Sequence, residues 1–149
     1  MVQFNKLTID HPDFAYVQKI RKTVFVDEQN VNVTDEYDSY EGQATHYLLK
    51  ENNLPVGVAR TRKTDVGIKL ERFAVLSNHR GKGYGKQIVH FVLNDVCNEN
   101  KCVYLHAQLP VVEFYKQFGF GIVGDIFNEA GIDHYKMILQ LNGPIENIH

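Results

Sequence analysis

The stretch of sequence that decides the fold is Arg80-Gly81-Lys82-Gly83-Tyr84-Gly85-Lys86. It follows an apolar run at residues 70–76 that is typical of a strand, and it leads into a helical pattern of apolar residues from residue 87. Glycines at alternate positions allow the backbone to turn tightly and remove the side chains that would keep a ligand away. The first amide groups of the following helix have no partner within the helix, and the helix dipole adds partial positive charge there. The stretch therefore predicts a strand–loop–helix unit that binds phosphate oxygens, to which Arg80, Lys82 and Lys86 add full positive charges.

Two better-known phosphate-binding loops do not match this spacing. A Walker A loop needs a Ser or Thr after its lysine, but Lys86 is followed by Gln87. A dinucleotide-binding loop needs Gly-x-Gly-x-x-Gly, whereas the third glycine here comes one residue early, and no acidic residue ends the next predicted strand to bind a ribose. The spacing that fits is Arg-x-x-Gly-x-Gly, from Arg80 through Gly83 to Gly85. On this pattern alone, a glycine-rich turn without a ligand is the alternative.

The composition is that of an ordinary globular domain. The chain has 149 residues, of which 44% are hydrophobic and 23% charged, so we expect one domain over residues 1–142 and a frayed tail at 143–149. The net charge of −2 argues against a nucleic-acid partner. No apolar run is long enough to span a bilayer and no signal-peptide pattern is present, so we expect a cytoplasmic protein without a membrane partner. Cys97 and Cys102 lack the paired spacing of a zinc site, so no metal is expected.

Hydrophobic periodicity predicts an α/β sandwich on one mixed sheet. A strand at residues 2–9 precedes a helix at 14–28 and an acidic loop at 30–42. Further strands are predicted at 44–50, 56–63, up to 76, 103–107, from 119, and 133–141, and further helices at 87–98 and 110–118. Three strands therefore precede the glycine-rich loop, and a strand, a short helix and two strands follow the long helix behind it.

A second informative stretch is Glu113-Phe114-Tyr115-Lys116-Gln117-Phe118-Gly119-Phe120. It resembles the Phe-Tyr-x-x-x-Gly-Phe segment that the GNAT acyltransferases carry one strand and one short helix after their pyrophosphate-binding loop. The Arg-x-x-Gly-x-Gly spacing resembles that loop itself, and the two motifs stand here in the same order and at the same separation. On these motifs the chain is identified as a member of the GNAT family, with the resemblance covering residues 56–141.

Further stretches resemble the small bacterial branch of the family that the ElaA and YjcF proteins typify. These stretches are Arg21-x-x-Val24-Phe25-Val26-x-Glu28-Gln29-x-Val31, Glu36-x-Asp38, His46, Leu70-Glu71-Arg72 and Ala130-Gly131-Ile132-Asp133-His134. This likeness covers nearly the whole chain. It implies an acyltransferase but no particular acceptor.

The resemblance implies a GNAT-type fold, a mostly antiparallel sheet flanked by helices, with acetyl-CoA as co-substrate. In this fold two parallel strands splay apart, and the pantetheine arm enters between them like another strand. Backbone groups of Phe73, Ala74 and Val75 would bond the pantetheine amides and polarise the thioester, and residues 80–86 would hold the pyrophosphate. The implied reaction is direct transfer of the acetyl group to a primary amine of a small molecule.

Tyr115 is the candidate general acid that the motif implies. A phenol with an ordinary pKa of about 10 is protonated at neutral pH, so it can donate a proton to a departing thiolate whose thiol has a pKa of about 8.5. The alternative is an aromatic side chain that packs with Phe114 and Phe118 in the core.

Glu71 is the first candidate for the general base, because similar family members carry an acidic residue on this strand. Strand alternation predicts that it lies on the same face as Phe73 and Val75. The alternative is a carboxylate that is simply paired with Lys69 or Arg72.

His134 and His46 are the other candidates for the base, since imidazole titrates near neutrality, although a strand histidine is more often structural. By likeness to the branch, Arg21, Glu28 and His46 are also candidates for binding the acceptor. The acidic run at residues 35–41 attracts a cationic amine or is simply a solvated loop, and the second interpretation is the commoner one.

Two alternative functions are left open by the sequence. One is acetylation of a peptide or protein by the same chemistry, and the other is a sensor that binds acyl-CoA without turnover. Tyr115 and Glu71 favour an enzyme, because a binding module needs no proton donor or acceptor. Both a monomer and a homodimer are compatible with the sequence.

Overall fold

The residues that the structure describes form one sheet of seven strands. Within this sheet, one pair of neighbouring strands is parallel and the other pairs are antiparallel. The computed structural model describes residues 1–32, 36 and 38–140, so the predicted tail at 143–149 lies outside them. The strands are β1 (Val2–Leu7), β2 (Thr45–Glu51), β3 (Leu54–Lys63), β4 (Ile68–Val75), β5 (Val103–Gln108), β6 (Phe120–Glu129) and β7 (Ile132–Leu139). Their order across the sheet is β1-β2-β3-β4-β5-β7-β6, and β4 and β5 are the parallel pair. The predicted mixed and mostly antiparallel sheet is thereby confirmed.

Helices cover both faces of the sheet. They are α1 (Phe14–Arg21), α2 (Tyr84–Val96) and α3 (Val112–Lys116). The predicted helix at 14–28 changes type after Arg21 and continues as a π-helix, Lys22–Glu28. A hydrogen bond of 3.1 Å from the Gln29 N–H to the Val24 carbonyl closes the wider turn that defines a π-helix. The N-terminal helical segment therefore keeps its predicted length but not its predicted geometry.

Two hydrophobic clusters, one on each face, hold the helices to the sheet. The larger cluster lies under α2 and α3, and the smaller one lies under α1. Helical spacing brings the apolar residues of α2 to one side, where each fully buried aliphatic side chain contributes about 1.5–3 kcal/mol. The buried residues of α2 are Tyr84, Ile88, Val89, Val92, Leu93 and Val96.

The hairpin of β6 and β7 ends beside the carboxyl end of β5. Its turn is Ala130-Gly131, where both residues have positive φ, 53° and 80°, as a tight two-residue hairpin turn requires. β7 pairs with β5, so that His134 lies opposite Gln108. The sequence predicted only the first part of β6, because the register shifts between Val123 and Phe127 and breaks the alternation of side chains there.

Candidate active site

A cavity of about 340 Å³ opens where β4 and β5 separate. The two strands pair only from Ile68 to Leu70, opposite Val103 to Leu105, although both continue beyond these residues. Leu105 and Tyr115 line the cavity from the α2 side of the sheet, and Glu71 and His106 line it from the α1 side. The gap between the strands therefore connects the two faces of the sheet.

A bulge at Arg72 precedes the open part of β4. Arg72 has a positive φ of 58°, and the register between β3 and β4 shifts so that Arg72 and Phe73 lie opposite Ala59 alone. Because of the extra residue, side chains after the bulge point to the opposite face from the one that regular alternation would give them. Leu70 belongs to the cluster on the α2 side, whereas Ala74 belongs to the cluster on the α1 side. The prediction that Glu71 shares a face with Phe73 and Val75 is therefore wrong, because the bulge lies between them.

The glycine-rich loop has the open backbone that phosphate binding requires. Gly81 and Gly83 have positive φ of 79° and 84°, and a Cβ atom at either position would meet nothing within 4 Å. Gly83 is also the N-cap of α2, and no side chain caps this helix start. The first amide groups of the helix are therefore left for a ligand, beside Lys82 and Lys86.

Arg80 and Glu28 contact each other rather than lying in separate sites. The Arg80 guanidinium donates to both carboxylate oxygens of Glu28, at 2.6 and 2.9 Å, and its Nε donates to the Val75 carbonyl at 2.9 Å. The hydrogen bonds from Arg80 lower the pKa of the Glu28 carboxyl. The pair therefore ties the end of the π-helix to the loop, and Glu28 does not line the cavity.

Of the three β4 residues named from the sequence, Phe73 and Val75 turn their backbone groups to the gap, whereas Ala74 turns its groups to β3. The Leu76 N–H donates to the Val56 carbonyl of β3, at 3.0 Å. Because backbone groups alternate along a strand, those of Val75 point away from β3, as do those of Phe73 two residues earlier. These groups therefore form an edge that faces β5 across the gap.

Tyr115 combines core packing with access to the cavity. Its ring makes edge contacts with Phe73, Phe114 and Phe120, at centroid distances of 5.1 to 6.1 Å, and the side chain is 9% exposed. The hydroxyl has no hydrogen-bond partner among the residues that the structure describes. Burial raises the pKa of this phenol, so it stays protonated across the physiological range. The side chain therefore packs with Phe114, as the alternative interpretation expects, and also lines the cavity, as a general acid must.

Glu71 lies in an ion-pair network rather than standing free. Its carboxylate contacts Arg60, accepts from Arg62 Nε at 3.0 Å, and lies 3.5 Å from Lys69 Nζ. Although burial opposes the charge, the three cations lower the pKa of this carboxyl. A carboxylate held in this way is a weak base, which fits the paired alternative better than the role of general base.

Buried charges extend this network towards α1. Arg21 is fully buried and donates to Glu36 at 2.9 Å and to Glu41 at 2.9 Å, so it does not reach the cavity. Glu36, Asp38 and Glu41 all accept from arginines, which contradicts the interpretation of this acidic run as a solvated loop. Asp35, at the start of the predicted run, lies outside the described residues.

His134 lies at the cavity with a fixed ring orientation. Its Nδ1–H donates to the Ile132 carbonyl at 2.7 Å, and in the neutral ring Nε2 is then the basic atom. Glu129 Oε1 lies 4.0 Å from this Nε2. The ring nitrogen that faces Glu129 is therefore the one without a hydrogen.

His106 and Glu129 are cavity residues that sequence reasoning missed. The His106 Nδ1–H donates to Glu129 Oε2 at 3.2 Å, and chiefly this bond lowers the pKa of Glu129 to about 2. The two residues are 23 positions apart, and the order β5-β7-β6 that brings them together is not readable from periodicity. The tight turn at Ala130-Gly131 was the signal that could have placed Glu129 at a hairpin end.

His46 lies in the core on the α1 side, away from the cavity lining. Its Nε2–H donates to the Glu41 carbonyl at 3.2 Å, its ring meets the edge of Phe14, and its Nδ1 has no partner among the described residues. Burial, together with Arg21 and Arg60 nearby, lowers the pKa of this imidazole, because a second ring proton would have no acceptor. The structure therefore brings His134, but not His46, to the cavity.

His46 should make the fold sensitive to acid. The unfolded histidine takes up a proton below its ordinary pKa of 6.5, whereas the folded one does so only at lower pH, so stability falls as pH falls through this range. Below pH 6.5 the wild type should lose up to about 1.4 kcal/mol per pH unit more than His46→Gln, measured by urea unfolding. His11→Gln, at an exposed histidine, should keep the wild-type slope. Equal slopes for the wild type and His46→Gln would contradict the assignment.

The described residues form neither a metal-binding group nor a membrane-spanning helix. No group of three or more His, Cys, Asp or Glu side chains is arranged to hold a metal ion. Among the residues that the structure describes, no helix is long and apolar enough to cross a membrane.

Comparison of the chain with known proteins gives consistent matches. The model of the acetyltransferase (GNAT) domain matches residues 12–141. The chain is 36% identical over 121 residues to the uncharacterized N-acetyltransferase YjcF of Bacillus subtilis (strain 168), covering 80% of this chain and 86% of YjcF. It is 34% identical over 131 residues to protein ElaA of Escherichia coli (strain K12), covering 83% of this chain and 84% of ElaA.

Solved structures agree with these matches. The crystal structure of E. coli ElaA superposes with a TM-score of 0.83 at 28% identity and covers 94% of this chain and 100% of that one. A GNAT family acetyltransferase from Elizabethkingia anophelis with acetyl-CoA bound has the same fold, with a TM-score of 0.71 at 16% identity over 94% of this chain and 98% of that one. The matches confirm the resemblance seen in the sequence, and the chain belongs to the GNAT acetyltransferase family.

Proposed function

We propose that this acetyltransferase transfers the acetyl group of acetyl-CoA directly to the primary amine of a small molecule. The observation that carries the proposal is the cavity between β4 and β5, which is lined by a protonated phenol and by a histidine with a basic nitrogen. Its volume of about 340 Å³ is that of a small-ligand site, which supports a small acceptor over a protein surface.

The residues of the glycine-rich loop fit the pyrophosphate of acetyl-CoA. The open space at Gly81 and Gly83 and the uncapped start of α2 support binding of phosphate oxygens by backbone amides. Lys82 and Lys86 would add charge, and Tyr84 and Gly85 would supply amides of the first helical turn. Arg80 would act from the flank, because Glu28 already binds both ends of its guanidinium.

The edge of β4 fits the strand-like arm of the co-substrate. Acetyl-CoA supplies an acetyl group activated as a thioester. The backbone groups of Phe73 and Val75 would bind along the gap, and an N–H group there would stabilise the oxyanion that forms on attack. Ala74, whose backbone faces β3, would keep this edge in register.

His134 is the proposed general base. An amine that enters as an ammonium ion must lose a proton before it can attack, and Nε2 of His134 is the acceptor that the ring orientation leaves free. Glu129 would stabilise the imidazolium that results, and His106 would hold Glu129 in position. Glu71 suits this role less, because its charge is shared among three cations.

Tyr115 is the proposed general acid. When the tetrahedral intermediate collapses, the carbon–sulfur bond breaks and the thiolate needs a proton. The Tyr115 hydroxyl is protonated and the residue lines the cavity, so the phenol would donate that proton. The phenol would regain a proton from solvent between turnovers.

The function is tested by measuring release of free CoA thiol from acetyl-CoA across a panel of small primary amines and short peptides. Turnover with small amines, together with a higher melting temperature in acetyl-CoA, is the expected result. Turnover with peptides alone would move the assignment to a peptide acetyltransferase. A melting temperature that rises without turnover of any acceptor would indicate the sensor.

Replacing Tyr115 by Phe should lower kcat about 100-fold, because general acid catalysis typically contributes at least that much. The same variant should keep the stabilisation by acetyl-CoA, since the ring packing is retained. Tyr16→Phe, at an exposed tyrosine of α1, is the matched control and should behave as the wild type. A full rate in Tyr115→Phe, under conditions where chemistry limits kcat, would show that the phenol is not the acid.

Replacing His134 by Gln should lower kcat/KM about 100- to 1,000-fold at pH 7. The deficit should shrink as the pH rises towards the pKa of the acceptor amine, because a neutral amine no longer needs the base. His90→Gln, on α2 and outside the cavity, serves as the control. If Glu71→Gln instead showed this pH-dependent loss and His134→Gln did not, the base would be Glu71.

A further inference from the structure

An ion-pair network extends from one wall of the cavity into the core on the α1 side. Among the described residues, five cations and four carboxylates form a single ion-pair network on the α1 side of β3 and β4. The cations are Arg21, Arg60, Arg62, Lys69 and Arg72, and the carboxylates are Glu36, Asp38, Glu41 and Glu71. With His46 buried as a neutral ring, the network has one positive charge in excess.

Glu71 is shared by three of these cations. Arg60 is fully buried behind it, whereas Arg62 and Lys69 line the cavity. Arg62 uses only its Nε for Glu71, and Lys69 Nζ lies 3.5 Å from the nearer carboxylate oxygen. The terminal nitrogens of Arg62 therefore keep donors without an acceptor among the described residues, and Lys69 is only loosely paired.

Both donors are largely buried, and an aromatic ring holds the Arg62 guanidinium in position. The Arg62 guanidinium lies over the ring of Tyr40, 4.0 Å from its centroid, and its side chain is 16% exposed. The Lys69 side chain is 12% exposed. Two nearly buried cations with spare donors, held against one carboxylate, form a site for a further anionic group.

The opposite wall of the cavity carries the carboxylate of Glu129. Glu129 is ionised at neutral pH and accepts from His106, and it lies beside the basic nitrogen of His134. Lys69 and Glu71 on β4 lie on the same face of the sheet as His106 on β5. The cavity therefore has two cations with spare donors on β3 and β4, and a carboxylate beside His134 at the β6–β7 hairpin.

We propose that the acceptor is a small amine that also carries a carboxylate, in the manner of an amino acid, and that Arg62 and Lys69 bind this carboxylate. The inference rests on the proposed function and names its substrate class. A guanidinium and an ammonium suit a planar carboxylate, and the ammonium of the acceptor is attracted to Glu129, where His134 takes its proton. Binding at both ends orients the amine towards the thioester.

The experiment compares matched acceptors that differ only in the anion. The values of kcat/KM are measured for α-, β- and ω-amino acids, for their carboxamides, and for the corresponding amines without the carboxylate. The wild type should prefer at least one amino acid over its carboxamide by tenfold or more. The ratio of kcat/KM between an amino acid and its carboxamide is measured on the wild type. The test therefore does not depend on whether a substitution disturbs folding.

The variants Arg62→Gln and Lys69→Met test the two donors. Each should lower kcat/KM for the preferred amino acid 10- to 100-fold, while changing the KM for acetyl-CoA and the kcat/KM for the carboxamide less than threefold. Lys63→Gln removes an exposed cation of β3 that pairs with Glu99, and should leave all values unchanged.

Two outcomes would overturn the inference. Equal or better turnover of carboxamides and simple amines would remove the carboxylate from the substrate class and leave the proposed function intact. Binding of acetyl-CoA without turnover of any amine, charged or not, would refute both the inference and the proposed function.

Discussion

The bulge at Arg72 is the constraint on which the rest of the site depends. A non-glycine residue at a φ of 58° costs about 1–2 kcal/mol, so the surrounding structure must hold it in place. Arg72 Nε lies 3.0 Å from Glu36 Oε1 and its Nη2 lies 3.3 Å from Asp38 Oδ2. These contacts anchor the bulge to the segment between α1 and β2. The bulge follows the last residue of β4 that pairs with β5, Leu70, and turns Glu71 and Phe73 to opposite faces.

This arrangement explains how one sheet serves two substrates. On the α2 face, the gap between β4 and β5 is lined by the open backbone edge of β4 and by the phenol of Tyr115, next to the glycine-rich loop. On the α1 face, the gap is lined by ionised side chains that pair with buried arginines. Removing one partner of such a buried pair costs about 3–5 kcal/mol, so the charges are held in position before any ligand arrives. A fixed arrangement of charges is what both orientation of a substrate and stabilisation of a transition state require.

The sequence predicted the parts of the molecule that depend on local pattern. The glycines of residues 81–85 and the apolar spacing of α2 led to the loop and its helix, and the motif around Tyr115 led to the second half of the sheet. The bulge could not be predicted, because residues 70–76 contain no glycine and read as a regular strand. For this reason Glu71 was placed on the wrong face.

The pairing of charges also required the tertiary structure. Arg21, Glu28 and His46 belong to stretches that resemble the branch, but the fold uses them in ion pairs and in the core, outside the cavity lining. Glu129 and His106 meet only because β7 lies between β5 and β6. Periodicity gives the elements of a sheet but not the order of its strands.

The central claim is that acetyl-CoA binds along β4 in the gap between β4 and β5. The most direct test is amide hydrogen exchange at single residues, measured by NMR with and without acetyl-CoA. Exchange at Phe73 and Val75, whose backbone groups face the gap, should slow at least tenfold, whereas exchange at Ala74, which faces β3, should change little. Slower exchange elsewhere, with Phe73 and Val75 unchanged, would contradict the account.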